Sequence, residues 1–115
     1  MVLKRGNIHL AKLYPSKGHE VGKNRPVLIL QTDLLNEVEH TTAIVLPLST
    51  SKVANAYPLR YDINKRDKLM QDSQILCDQI RAIDINRIDK EILSSLTNHE
   101  LLEIQLRVQI ILDFS

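Results

Sequence analysis

The residues best suited to chemistry lie in one stretch, GHEVGKNRP at positions 18–26. Arg25 is always protonated, and its planar fork of donors fits phosphate oxygens. Histidine titrates near neutral pH and a carboxylate can accept a proton, so His19 and Glu20 could take part in acid–base chemistry beside it. An ordinary surface loop would have the same composition, so both interpretations stay open at this point.

Two further polar clusters follow or interrupt apolar segments. Residues 49–51, STS, come directly after the run TTAIVLPL, and hydroxyls at a strand end either orient a phosphate or begin a turn. Asp78, Gln79 and Arg81 surround Ile80 in a strand-like segment, a pattern that a solvated sheet face would also produce. Each cluster is a weak signal alone, and their joint occurrence favours a site for a phosphate-bearing ligand.

Several classes of site are excluded by composition. The four histidines show no short ligand spacing and Cys77 has no second cysteine, so we expect no metal site and no internal disulfide. Three glycines do not form a Walker loop, a dinucleotide fingerprint or a nucleophile elbow, so we expect no organic cofactor. A net charge of +1 argues against a non-specific nucleic-acid binder but allows a local basic site.

The compartment is predicted from two features of the sequence. A lone cysteine suits a reducing environment. The N-terminus lacks the apolar run of a signal peptide, and no stretch approaches the ~20 apolar residues of a membrane span. We therefore expect a cytoplasmic protein without membrane association.

Short apolar runs divided by polar loops indicate one domain, residues 1–115, built as a small barrel or strongly bent sheet. Pro26 is expected at the first residue of its strand, where a missing N–H is tolerated. Ile80, Ala82 and Ile83 are expected on the inner face of the last strand. Strands are predicted within residues 3–13 and at 26–31, 41–48, 57–61, 74–77 and 78–84.

A C-terminal helix is predicted by the capping-box pattern TNHE at residues 97–100. Apolar residues then recur at helical spacing over a stripe too wide for one packing face. We expect this helix to pack both on its own barrel and on a second copy. The stripe consists of Leu101, Ile104, Val108 and Ile111, widened by Leu102, Leu106 and Ile110.

The order of these motifs resembles the MazF/PemK (Kid) family of toxin endoribonucleases. The likeness covers nearly the whole chain, through KRG at 4–6, PSKGHE at 15–20, RPVLI at 25–29, VLPLST at 45–50 and DSQILCDQIR at 72–81. It implies an α+β fold that is mainly β, an SH3-like barrel of the MazF/Kid/CcdB type with a C-terminal helix. It also implies a homodimer, metal-independent cleavage of single-stranded RNA and a MazE-like antitoxin, with DNA binding only by the toxin–antitoxin complex.

The resemblance also implies roles for individual residues. Arg25 and Ser49 match the catalytic pair, although many relatives carry threonine at the second position, and Thr50 shares that role if the register shifts by one. Glu20 matches the family's glutamate, but this chain has Glu20-Val21-Gly22 where relatives usually read Glu-Gln-x-Gly. The expected RNA-contacting residues are Lys17, His19, Lys23, Thr50, Asp78, Gln79 and Arg81.

Metal-free cleavage requires the 2′-OH of the RNA to attack the adjacent phosphorus while the site neutralises charge and moves protons. The expected products carry a 2′,3′-cyclic phosphate and a 5′-OH. Two other functions stay open: a CcdB-like toxin of the same fold that binds DNA gyrase without catalysis, and an SH3-like module for proline-rich peptides. The second is disfavoured because aromatic residues, which line such grooves, make up 3% of the chain.

Overall fold

The computed structural model describes residues 1–13, 18–19 and 23–114. Within them lie seven strands, two α-helices and one 3-10 turn. In chain order these are β1 (Asn7–Lys12), β2 (Asn24–Ile29), α1 (Asp33–Glu37), β3 (Thr42–Ser49), β4 (Arg60–Ile63), β5 (Ser73–Leu76), β6 (Arg81–Asp84), the 3-10 turn (Ile85–Arg87), β7 (Ile88–Ser95) and α2 (Asn98–Leu112).

The strands form one antiparallel sheet in the order β4-β5-β3-β2-β1-β7, with β6 paired to β3 off this path. β3 connects the sheet, because it pairs with three other strands. One edge of β3 pairs with β2, while the other edge pairs first with β6, up to Val45, and then with β5, from Leu48. The prediction of a mainly β fold with a C-terminal helix is confirmed, and the end of β3 lies where β2 and β5 both approach it.

The central strands are buried on both faces, which explains their continuous apolar sequences. Val27 and Ile29 of β2 belong to one core cluster, whereas Leu28 between them belongs to a second. Ile104 of α2 lies in the second cluster, so the helix covers that side of the sheet. Burial of each such side chain stabilises the fold by about 1.5–3 kcal/mol.

Two of the predicted strands begin later than expected. β4 starts at Arg60, because a turn in which the Leu59 N–H donates to the Ala56 carbonyl at 2.6 Å occupies the preceding residues. β6 starts at Arg81 after a comparable turn. Ala82, predicted on the inner face, is exposed because it alternates with the buried Ile83, so that prediction is wrong.

Pro26 is the third residue of β2 and not the first. On the β3 side the paired register begins only at Val27, so Pro26 removes no ladder hydrogen bond there. Two elements were not predicted at all. α1 has five residues, and β7 is an edge strand with four consecutive exposed residues, so neither shows a clear hydrophobic period.

α2 begins with the predicted capping box. The Thr97 hydroxyl accepts from the Glu100 N–H, and the Glu100 carboxylate accepts from the Thr97 N–H. Arg66, in the loop between β4 and β5, donates to both Glu100 oxygens at 2.8 and 2.9 Å and so ties that loop to the helix. Burial raises the pKa of Glu100, but the bonds from Arg66 and Thr97 outweigh it and leave the pKa below its usual value.

Replacing Glu100 with glutamine is expected to lower the free energy of unfolding by about 2 kcal/mol at pH 7, since hydrogen bonds to charged groups contribute ~1.5–3 kcal/mol. A pKa lowered by folding stabilises the protein above the unfolded-state value, near 4.3, and this stabilisation declines as pH falls through the folded value. Urea unfolding at pH 7 and pH 3 should show the difference shrinking in acid. An equal loss at both pH values would contradict the charge-based account. Glu103→Gln is the matched control, because the Glu103 carboxylate lies 4.0 Å from its nearest cation.

Candidate active site

A groove of about 530 Å³ brings Arg25 and Ser49 together. β2 and the residues just before it provide one part of the wall, with Lys23 and the half-buried Arg25. The end of β3 provides another part, with Ser49 followed by Thr50. The sequence predicted all four as catalytic or RNA-contacting residues, and the fold places them around one space.

Strand register explains why Arg25 and Ser49 share this groove. β2 and β3 pair antiparallel, with Val27 opposite Pro47 at the end of the recorded ladder. The β2–β3 pairing ends there, and beyond it Arg25 pairs with Ala11 of β1 while Ser49 pairs with Gln74 of β5. Arg25 and Ser49 therefore lie just past the same end of the β2–β3 pairing, which brings a guanidinium and a hydroxyl to one groove.

The Ser49 hydroxyl is held by one hydrogen bond that it accepts, while its own proton makes only a long contact. Ser49 is 7% exposed, and its Oγ accepts from the Ser51 N–H at 3.1 Å, so the hydroxyl does begin a turn. The same hydroxyl lies 3.5 Å from the Ser51 carbonyl oxygen, a long contact that a phosphate oxygen would readily replace. Thr50 follows the last residue of β3, is exposed and also lines the groove.

Gln74 fixes the chain that leaves β3, a role that sequence reasoning missed. It is 5% exposed and pairs with Ser49 across β3 and β5. Its amide binds the N–H and the carbonyl of Val53, each at 2.9 Å, and accepts from Arg60 at 3.0 Å. Arg60 also donates to the Ser51 carbonyl at 2.9 Å. The signal available in the sequence was an amide residue inside the otherwise apolar run QILC.

The loop between β4 and β5 adds groove residues that were not predicted. Lys68 lies on the groove with its Nζ 3.3 Å from Glu91. Gln71 and Ser73 also line the groove, and the Ser73 hydroxyl donates to the Gln71 carbonyl at 2.9 Å. Lys68 therefore brings a positive charge to the groove, paired with the Glu91 carboxylate. The charge-rich segment NKRDK at residues 64–68 was the available signal.

The third predicted cluster is not brought into the groove. Asp78 is exposed and Gln79 is half-buried at the turn before β6, and neither lines the groove. Arg81 pairs with Val45 on the opposite edge of β3 from β2. That position is four residues before the end of β3, roughly 13 Å along the strand.

The loop ahead of β2 is described only in part. His19 is exposed in a turn beside Gly18 and is not among the described residues that line the groove. Lys17 and Glu20 lie outside the described residues.

Cys77 is part of the core. Burial raises the pKa of its thiol to about 12, so the sulfur stays protonated. In the described ranges 1–13, 18–19 and 23–114, no group of three or more His, Cys, Asp or Glu side chains is arranged to hold a metal ion. Nor does that part of the chain contain a helix long and apolar enough to cross a membrane.

Nearly the whole sequence matches one family of toxins. Residues 4–112 match the family described as PemK-like, MazF-like toxin of type II toxin-antitoxin system. Over 111 residues the chain is 36% identical to an Endoribonuclease MazF from Staphylococcus saprophyticus, and the match covers 95% of this chain and 90% of that relative.

Solved structures share the fold. MazF from Deinococcus radiodurans superposes with a TM-score of 0.80 at 23% identity, covering 99% of both chains. A chain of a MazE–MazF structure from the same organism gives a TM-score of 0.75 at 24% identity, covering 100% of this chain and 99% of that one.

Proposed function

Because the chain belongs to the PemK-like, MazF-like toxin family of type II toxin–antitoxin systems, we propose that it is an endoribonuclease that cleaves single-stranded RNA. The observation that carries this proposal is the presence of Arg25 and Ser49 in the lining of one groove. The relative from Staphylococcus saprophyticus is named for the same activity. We further propose that cleavage is sequence-specific, acts on mRNA in the cytoplasm and needs no metal.

The proposed chemistry uses the substrate's own nucleophile. The 2′-OH gives its proton to a base and attacks the adjacent phosphorus, the bond to the 5′ oxygen breaks, and that oxygen takes a proton from water, so the products are a 2′,3′-cyclic phosphate and a 5′-OH. Arg25 neutralises the charge that builds on the phosphoryl oxygens. Ser49 donates a hydrogen bond to one of those oxygens in place of its long contact with the Ser51 carbonyl.

Proton transfer needs another group. A guanidinium does not lose its proton at neutral pH, so Arg25 cannot take the proton of the 2′-OH. We propose Glu20 as the general base, on the family match and on the basicity of a carboxylate. Lys23 and Thr50, which line the groove, are then RNA-contacting residues, and we propose that His19 contacts RNA from the loop ahead of β2.

The proposed regulator is a MazE-like antitoxin. A MazE–MazF structure shares this chain's fold, which supports an antitoxin partner. We propose that a segment of the antitoxin covers the groove and excludes RNA, and that DNA is bound only by the complex.

Incubation with RNA separates this function from the gyrase-binding and peptide-binding alternatives. The purified protein is incubated with a long single-stranded RNA, and the cuts are mapped by primer extension. Discrete cuts at a recurring sequence are expected. Intact RNA together with inhibited DNA gyrase would favour the CcdB-like alternative, which requires no arginine and serine in one groove.

A homodimer is the proposed assembly, supported by α2. Leu102, Leu106 and Ile110 follow one another at intervals of four residues, so they form one stripe along the helix. They are 51%, 44% and 52% exposed, although another face of α2 packs on the sheet. A contiguous exposed apolar stripe of this kind marks a protein interface.

Leu106→Glu is expected to convert the dimer to a monomer, because it would bury a charge without a partner at the centre of the stripe. Light scattering at micromolar concentration should report twice the 13.2 kDa chain mass for the unmodified protein and 13.2 kDa for the variant. Gln105→Glu, an exposed neighbour, is the control and should stay dimeric. A monomeric unmodified protein would refute the assembly.

A further inference from the structure

A second polar pocket lies beside Gln74, formed by the loop that follows Ser49, by β4 and by α2. Its volume is about 360 Å³. Arg107 of α2 stands between two rings there, with its Cζ 4.9 Å from the centroids of both Tyr57 and Tyr61. Arg60 and Asp62 complete its polar lining.

The contacts of Arg107 with Tyr57 and Tyr61 are poorly explained by a contribution to the stability of the fold. The Arg107 side chain is only 16% exposed, and its Nε is buried with no hydrogen-bond partner among the described residues. An unpaired buried donor costs about 1–3 kcal/mol, which an apolar residue at the same place would avoid. Tyr57, meanwhile, is 64% exposed. Arg107 Nη1 donates to the Glu103 carbonyl at 2.9 Å, and the guanidinium so anchored holds the exposed Tyr57 ring in place, as expected for a binding surface.

The chemistry of the pocket fits an unpaired RNA base. Bases of single-stranded RNA are recognised by stacking on aromatic rings and guanidinium planes. Asp62 accepts a bond from Gln74 through Oδ1 at 2.8 Å, and its second oxygen is an acceptor suited to the N–H groups of a base. The same carboxylate disfavours an acidic peptide segment as the occupant.

The pocket is also linked to the proposed catalytic hydroxyl. Arg60 lines the pocket and donates to the Ser51 carbonyl at 2.9 Å. The Ser51 N–H in turn donates to the Ser49 Oγ at 3.1 Å. These two bonds connect the lining of the pocket to the turn that holds Ser49.

We propose that Tyr57, backed by Arg107, is a stacking platform for an RNA base that flanks the cut. The inference rests on the proposed ribonuclease function and adds a subsite to it. The platform contributes binding energy outside the scissile step, so it acts on the affinity for extended RNA and leaves the chemical step unchanged.

The test compares the shortest oligonucleotide that the protein cleaves with the same RNA extended by several nucleotides on each side. For the extended RNA, Tyr57→Ala should raise KM by roughly tenfold, as expected for the loss of one stacked base, and leave kcat unchanged. For the short RNA neither constant should change. Tyr57→Phe should keep the original KM, whereas Tyr57→Leu, which lacks the π face, should match alanine. Leu59→Ala, exposed on the same loop but outside the pocket, is the control.

The platform is refuted by an unchanged KM for extended RNA in Tyr57→Ala, by equal effects on both RNAs, or by full recovery in Tyr57→Leu. Weaker binding of the antitoxin with unchanged RNA kinetics would also refute it and would assign the pocket to the protein partner. Unfolding midpoints of the variants exclude misfolding as the cause. If the unmodified protein cuts neither RNA, the ribonuclease proposal fails, a result distinct from failure of the platform.

Discussion

Replacing Arg25 with alanine is expected to abolish RNA cleavage, lowering kcat by roughly 10³-fold or more. Single preorganised donors to a developing oxyanion contribute ~10²–10³-fold, and arginines that stabilise phosphoryl charge contribute ~10³–10⁵-fold. Arg25 and Ser49 line the same groove, so a phosphate held by the Ser49 hydroxyl would lie within the same space as the guanidinium. Single-turnover cleavage of a radiolabelled RNA measures the effect.

Two variants control this prediction. Arg25→Lys keeps the charge without the planar fork, so we expect only partial activity. Lys23→Ala removes an exposed charge from the same groove and should raise KM with little change in kcat. A value of kcat for Arg25→Ala within tenfold of the original would remove Arg25 from the chemistry.

The second large effect is expected at Glu20. Glu20→Gln should lower the rate by about 10²–10⁴-fold, the usual contribution of a general base. The physical reason is that Arg25 stabilises charge but cannot accept the 2′ proton. Rates measured from about pH 3.5 to pH 9 should show an acidic limb in the original protein that is missing in Glu20→Gln, since the ordinary pKa of a glutamate is near 4.3.

His19 is the matched control for that prediction, since it is adjacent in sequence and also titratable. His19→Ala should cost far less and leave the acidic limb in place. The reverse result, in which the acidic limb of the pH profile vanishes in His19→Ala, would make His19 the proton acceptor. If neither variant changes the rate by tenfold, the loop only binds RNA.

Local sequence patterns correctly predicted the helix and the strands whose own residues contain a capping box or a continuous apolar run. The capping box at Thr97 and Glu100 forms as expected, and the apolar runs ending at Ile29 and Ser49 are strands buried on both faces. Arg25 and Ser49 share a groove because each lies just beyond the paired part of those two strands, at the same end of the pairing.

Features that depend on distant parts of the chain could not be predicted in the same way. Arg107 meets Tyr57 only because α2 folds back over the loop after β3. Gln74 looks like one polar residue in a strand until Val53 folds onto its amide. Arg81 is the first residue of β6, which pairs with β3. Its partner on β3 is Val45, well before the end of β3 that lines the groove.

Cleavage of a single-stranded RNA by the purified protein in excess EDTA, followed by analysis of the RNA ends, is the decisive experiment for metal-free attack by the 2′-OH. We expect cleavage at the same rate as without EDTA, with 2′,3′-cyclic phosphate and 5′-OH ends, and none from Arg25→Ala. Cleavage that stops in EDTA and returns with magnesium, or that leaves 3′-OH and 5′-phosphate ends, would contradict the account.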